Sequence, residues 1–221
     1  MDINKIKEDM VKVAKKEYHC GMVNTFEGNI SVRLNDRFLI TPSQVDKDVM
    51  TKEMIIEVDE NGSVLNDTGY KPSTELMMHL EIYRLRPDVN AVVHNHSMYA
   101  TAFAMNHMPI KTPFISEINQ FLGEVPVAPY GTPGTERIYE HFSEIITDKF
   151  AILLANHGVV TFAPNLEYAY DFAEAVEKTA QQIYISKQLG TPVPIPRDEI
   201  DTLQFVSQQT RQALIKAYTP E

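Results

Sequence analysis

Tryptophan is absent from this chain and cysteine occurs once. With Cys20 alone no internal disulfide forms, so the fold must hold by packing, and a lone thiol without partners reads as a small buried hydrophobe rather than a nucleophile. No apolar run approaches the roughly 20 residues that a membrane-spanning helix needs. Residues 1–6 alternate polar and apolar groups instead of running basic then apolar, as a secretory signal does, so a cytoplasmic location is expected. Basic charge is also short: 20 Lys and Arg against 30 Asp and Glu give a formal charge of −10. That balance disfavours broad binding to a nucleic-acid backbone, which needs a basic face. It leaves room for a small phosphorylated substrate, because a few backbone amides and hydroxyls hold one phosphate.

What is there is an ordinary globular composition, 43% hydrophobic and 23% charged over 221 residues. It predicts a single domain, 1–221, with a sizeable core. Apolar residues at helical spacing predict an amphipathic helix over 3–18, stopped near Gly21. Strict alternation over 29–34, then 37–40 after Asn35-Asp36, predicts a hairpin. Residues 55–58 and 63–65 flank Asp59-Glu60-Asn61-Gly62 in the same manner. A helix is expected over 74–84, a strand at 91–96, and further strands at 125–128, 151–154 and 159–162. Residues 135–146 read as a helix. Asn165 caps a long helix that ends at Gly190, the proline-rich 191–196 must be extended, and 198–218 closes the chain as a last helix. The order predicts an α/β fold with a mainly antiparallel sheet covered by helices.

The chemistry concentrates in a few short segments. In Ala91-Val92-Val93-His94-Asn95-His96, strand alternation turns His94 and His96 to the same side, where two imidazoles can hold one metal ion. His157 follows an apolar strand and precedes Gly158, where a turn can present a third imidazole, and Glu75 is a candidate carboxylate. Taken singly, each histidine reads as a hydrogen-bonded core or surface group; the constellation argues for a metal. His19, His79, His107 and His141 lack such pairing and read as structural. Pro72-Ser73-Thr74-Glu75 is also what an ordinary helix start looks like, yet the same unpaired N–H groups and hydroxyls suit an anion. Gly28-Asn29-Ile30-Ser31 and Thr41-Pro42-Ser43 offer two further amide and hydroxyl groups.

With these motifs in this order, joined by Ala128-Pro129-Tyr130 and Asn156-His157-Gly158, the chain resembles the class II aldolase/adducin family, most closely its L-fuculose-1-phosphate aldolase branch. The resemblance implies one zinc ion on Glu75, His94, His96 and His157, and a sugar-phosphate site from Gly28, Asn29, Ser43, Gln44, Ser73 and Thr74. It also implies a three-layer α/β/α protomer in a homotetramer. The expected reaction is reversible cleavage of a ketose 1-phosphate, such as L-fuculose 1-phosphate or a deoxypentulose 1-phosphate, to dihydroxyacetone phosphate and a small aldehyde, with Glu75 as acid and base. Two positions depart from the branch. Ser43-Gln44 stands where its pattern has Thr-Gly, and Ile115-Ser116-Glu117-Ile118 stands where it has a tyrosine. Glu117 is instead similar to the acid/base residue of methylthioribulose-1-phosphate dehydratases. That dehydration, a ribulose-5-phosphate 4-epimerase on the same metal site, and a non-enzymatic adducin-like assembly module are the alternatives. The family's epimerases resemble this pattern with aspartate at the place of Glu75, and an assembly module is expected to lack metal histidines.

Overall fold

Strand β4 (Ala91–Asn95) carries only buried residues, which places it at the centre of the molecule. The computed structural model describes residues 2–116 and 121–218. Around β4 the described chain runs α1 (Ile3–His19), β1 (Asn29–Arg33), β2 (Phe38–Ile40), β3 (Ile56–Val58), α2 (Leu76–Leu85), then β4, α3 (Met98–Met105) and β5 (Val127–Ala128). It continues through α4 (Phe142–Ile145), β6 (Ala151–Leu154), β7 (Gly158–Ala163), α5 (Leu166–Leu189) and α6 (Arg197–Tyr218). Among the described residues seven strands form one sheet in the order β3-β2-β1-β4-β7-β6-β5. Every pairing is antiparallel except β5 with β6, which is parallel. This is the expected α/β architecture with a mainly antiparallel sheet.

Alternation along β4 divides the core into two layers. Ala91 and Val93 pack with Met10 and Ala14 of α1, Ala100 and Ala104 of α3, and Ala173 and Val176 of α5. Val92 points to the other layer, with Leu76, Leu80 and Tyr83 of α2 and Phe142 of α4. The sheet therefore sits between two helical layers, and His94, two residues beyond Val92, faces the layer that contains α2. Phe142 is fully buried, and truncating such a side chain to alanine costs about 3–5 kcal/mol.

Several expectations need correction. Residues 63–65 contribute only an isolated bridge, Val58 with Val64, because Asn66 Oδ1 rather than a strand partner accepts the Glu57 N–H at 2.7 Å. The helix read over 135–146 splits into a 3-10 turn at Glu136–Ile138 and the short α4, since Phe142 N–H closes on Tyr139 O, three residues back. The strand at 125–128 is shorter, and Val125 instead bridges Ile110. Cys20 is exposed, not buried, because it is the C-terminal cap of α1, where Gly21 turns the chain at φ 72°. The proline-rich 191–196 continues no helix, and its Ile195 N–H donates to Pro113 O at 2.8 Å. Among the described residues no helix is long and apolar enough to cross a membrane.

One buried polar contact ties α1 to the back of β4. Glu17 is 2% exposed and accepts from Asn95 Nδ2 at 2.9 Å, while Asn95 Oδ1 accepts the Ser97 N–H at 3.2 Å. Burial pushes the Glu17 carboxyl up to about 8, against the opposing pull of the Asn95 bond and of Lys47. A native value above the unfolded one means that the folded chain holds an extra proton between them, so stability falls as pH rises from about 4.5 through about 8. Glu17→Gln keeps an acceptor for Asn95 but loses this dependence. The melting temperature of the variant relative to wild type is expected to climb from pH 5 to pH 9, and a pH-independent difference would show that native Glu17 is ionised throughout.

Candidate metal centre

His94 is the penultimate residue of the buried strand β4, His96 lies just beyond that strand, and His157 sits in the turn between β6 and β7. Each pair of rings meets edge to face, with centroids 4.8 to 5.0 Å apart. Two glycines permit this. A Cβ on Gly158 would fall 2.5 Å from Asn95 O and 2.8 Å from His96 Cδ2, so only glycine lets the β7 backbone pass this close. Asn156, before His157, takes the left-handed φ of 57°, and its Oδ1 lies 2.7 Å from His107 Nε2. A Cβ on Gly28, whose φ is 75°, would strike Val23 Cγ1 at 2.4 Å and approach His94 O at 3.1 Å.

The outer nitrogen of His94 has a partner that decides its tautomer. His94 Nδ1 lies 2.9 Å from Val159 O, a pure acceptor, so Nδ1 carries the hydrogen and Nε2 a lone pair. His96 Nδ1 lies 3.3 Å from Glu27 Oε1, a close contact on the outer side of that ring. The His94 Nε2 lone pair faces His96 Nε2 at 3.1 Å, within hydrogen-bond distance. With both Nε2 atoms free of hydrogen, as metal ligands are, a cation would take the two lone pairs. Burial, then the neighbouring His96, lowers the His94 pKa to about 3, and burial, then His94, does the same to His157, so both imidazoles stay neutral as metal ligands must. His94, His96 and His157 together form a group able to hold a metal ion, with candidate ligand atoms all within 4.8 Å of one another.

Glu75 completes the cluster. It is the N-cap residue of α2, yet its side chain makes no capping bond. Instead Oε2 lies 3.3 Å from His94 Nε2 and accepts from Asn29 Nδ2 at 2.8 Å, and Oε1 lies 3.4 Å from His157 Nε2. Oε1 is buried and without a hydrogen-bond partner, an arrangement that costs free energy unless a proton or a metal arrives. The residues present thus fit a three-histidine, one-carboxylate centre.

The expected phosphate residues lie beside it. Pro42 bridges Pro72, Ser43 N–H donates to Lys71 O at 2.9 Å and Ser73 N–H to Thr41 O at 3.3 Å, so residues 41–44 and 71–74 cross next to Glu75. Thr74 is exposed, Ser43 half-buried and Ser73 buried, with its Oγ accepting the Glu75 N–H at 3.3 Å. Gln44 occupies the departure from the Thr-Gly pattern in a left-handed conformation, φ 55°, which for a residue with a Cβ costs on the order of 1 kcal/mol. Asn29 is buried with its side chain turned to Glu75 and His79. Glu117 lies outside the described residues. Sequence reasoning missed Glu27, which stands in an irregular loop, and His79, whose signal was its place four residues after Glu75 on one helix face.

Loaded with zinc, the protein is expected to hold a single ion per chain in a chelator competition titration. Removing Glu27 as partner to His96 in Glu27→Gln lowers that affinity roughly 10–100-fold, as loss of outer partners does in other metal sites. His94→Ala abolishes it, and a His94→Ala protein that binds zinc like wild type would place the ion elsewhere.

Comparison with known proteins agrees with this geometry. Residues 8–184 match the Class II Aldolase and Adducin N-terminal domain. An L-fuculose phosphate aldolase of Escherichia coli O6:H1 is 35% identical over 201 residues, covering 90% of this chain and 92% of that protein. A 5-deoxy-D-ribulose 1-phosphate aldolase of Bacillus thuringiensis is 36% identical over 206 residues, covering 92% and 95%. A solved L-fuculose 1-phosphate aldolase superposes with a TM-score of 0.84 at 32% identity over 91% of this chain and 95% of its own. From the extent of these matches the chain belongs to the class II aldolase/adducin family.

Proposed function

We propose that this chain is a zinc-dependent aldolase that reversibly cleaves a ketose 1-phosphate, L-fuculose 1-phosphate or a related deoxypentulose 1-phosphate, to dihydroxyacetone phosphate and a small aldehyde. The observation that carries this reading is the convergence of three imidazoles, with His94 Nε2 and His96 Nε2 3.1 Å apart, beside a buried Glu75 oxygen that has no hydrogen-bond partner. The names borne by the relatives support the substrate class. All three metal histidines are present, which disfavours a non-enzymatic assembly module. The chain would act as one domain, 1–221, in a cytoplasmic homotetramer.

Zinc held by His94, His96, His157 and Glu75 would supply the Lewis acid that draws charge from the C2 carbonyl oxygen. The remaining work falls to side chains. The hydroxyls of Ser43, Ser73 and Thr74, with Gly28, Gln44 and the amide hydrogen that Asn29 has left over, hold the phosphate without a cationic side chain. Glu75, released as substrate arrives, moves the proton of the C3 carbon. It delivers that proton after the C3–C4 bond breaks, and in the condensation direction it removes it. Glu117 is the candidate for the hydroxyl proton at the aldehyde end. Lys71 flanks these segments but is exposed, and no lysine for a Schiff base lies within residues 28–31, 41–44 or 72–75.

Glu75→Gln should lower turnover by about 10²–10⁴, while the variant still binds zinc through its histidines. Incubating zinc-loaded protein with ketose 1-phosphates, and with dihydroxyacetone phosphate plus an aldehyde panel, should give cleavage and condensation respectively. Loss of water from methylthioribulose 1-phosphate, or inversion at C4 of ribulose 5-phosphate, in place of carbon–carbon cleavage would transfer the assignment to the dehydratase or the epimerase.

A further inference from the structure

Glu75 does not stand alone in the interior. Asn29 Nδ2 donates to its Oε2 at 2.8 Å, and Asn29 Oδ1 lies 2.6 Å from His79 Nε2. His79 Nδ1 lies 2.7 Å from Ser31 Oγ, which lies 2.7 Å from Tyr83 Oη. Asn29 and Ser31 are two apart on β1, hence on one face of the sheet, while Glu75, His79 and Tyr83 are spaced by four on α2 and its cap, hence on one stripe of the helix. The two stripes interlock into a single file. Apart from Glu75, at 8% exposed, no member exceeds 5% exposure, so water cannot substitute for a missing partner.

Donor and acceptor roles along this file follow from its carboxylate end. A carboxylate oxygen only accepts, so Asn29 must present Nδ2 to it and Oδ1 to His79. Oδ1 only accepts, so His79 carries its hydrogen on Nε2. Its Nδ1 is then an acceptor for the Ser31 hydroxyl, and Ser31 in turn accepts from Tyr83. Burial lowers the His79 pKa to about 3, which keeps the ring neutral. With the other tautomer, Nε2 would be an acceptor, Asn29 would turn its amide over, and its Oδ1 would face the Glu75 carboxylate.

We infer that His79 is a positioning residue whose Nε2–H fixes the orientation of the Asn29 amide and, through it, holds Glu75 Oε2 so that Oε1 is left for the metal and the migrating proton. This rests on the proposed role of Glu75. Nothing in the file touches the substrate except through Asn29 and Glu75, so Ser31, His79 and Tyr83 act on geometry alone.

The tautomer can be read without any catalysis, from long-range ¹H–¹⁵N spectra of the wild-type histidine rings. A hydrogen on His79 Nε2 is expected; one on Nδ1 overturns the inference. Two substitutions then separate the two ends of the ring. The glutamine amide nitrogen of His79→Gln reaches the place of Nε2 and keeps the donor to Asn29, whereas the shorter amide of His79→Asn reaches only the place of Nδ1 and keeps the partner of Ser31. Each loses one buried bond, so their melting temperatures should drop alike. Zinc affinity and kcat should differ: His79→Gln stays within about threefold of wild type, and His79→Asn falls about 10–100-fold, the usual range for losing an outer partner of a metal site. Equal losses of both quantities in the two variants would reduce His79 to a packing residue. If wild-type protein bound zinc but cleaved no sugar phosphate, the proposed function would fail while the ring spectra and zinc affinities still decided this point.

Discussion

The imidazole nitrogens of His94 and His96, held 3.1 Å apart beside the buried Glu75, form the contact around which this site is arranged. In water the pair would separate or take up a proton. Here neither happens freely. Val159 O and Glu27 hold the outer nitrogens, and burial keeps the His94 ring neutral. The central strand bears the consequence: between Val93 and Ser97 it carries three polar side chains, and two of them, His94 and Asn95, are fully buried. Asn95 is satisfied behind the sheet by Glu17 and Ser97, so the inward nitrogens of His94 and His96 are what β4 leaves for a metal. A low local dielectric strengthens whatever binds there and raises the cost of leaving it bare.

Four separated segments meet at that point. The loop before β1 gives Glu27, the start of α2 gives Glu75, β4 gives the paired histidines and the β6–β7 turn gives His157. A ligand that grips this set binds only the folded chain, so its affinity adds to folding stability by mass action. The same convergence explains the glycines. Gly28 and Gly158 lie where backbone passes closest to His94 and His96, and a Cβ at either would have to push that backbone or a histidine ring away.

Much of this was legible because two periodicities carry it. Alternation in 91–96 gave the shared side of His94 and His96, and the long helix after Asn165 follows its apolar spacing from cap to Gly190, with Asn165 Oδ1 accepting the Tyr168 N–H. What periodicity cannot show is a partner contributed by an irregular segment. Glu27 belongs to no repeating pattern, and its contact with His96 exists only because Gly28 lets the loop fold under β4. His79 was visible at its spacing from Glu75, but a histidine on the inner stripe of a helix reads equally well as packing until the strand opposite is known. The helix read over 135–146 failed for a related reason. Ile138 and Phe142 are both buried four residues apart, as a helix would have them, yet separate short turns deliver them.

Charge adds a last constraint. The chain is acidic overall, which works against the approach of a phosphorylated substrate at long range. A lysine-rich pocket would overcome this by Coulomb attraction and would do so less well in salt. Apart from the exposed Lys71, the crossing of residues 41–44 with 71–74 offers uncharged donors instead, the hydroxyls of Ser43, Ser73 and Thr74, fixed by backbone bonds between the two segments. Such donors act at contact distance and in fixed directions, so they select for shape more than for charge. That arrangement would suit the proposed site, in which the Glu75 carboxylate stands beside the turn proposed to hold the phosphate. A cation turned inward from this segment would pair with Glu75, compete with the histidine cluster for it, and weaken it for the proton transfer proposed for it.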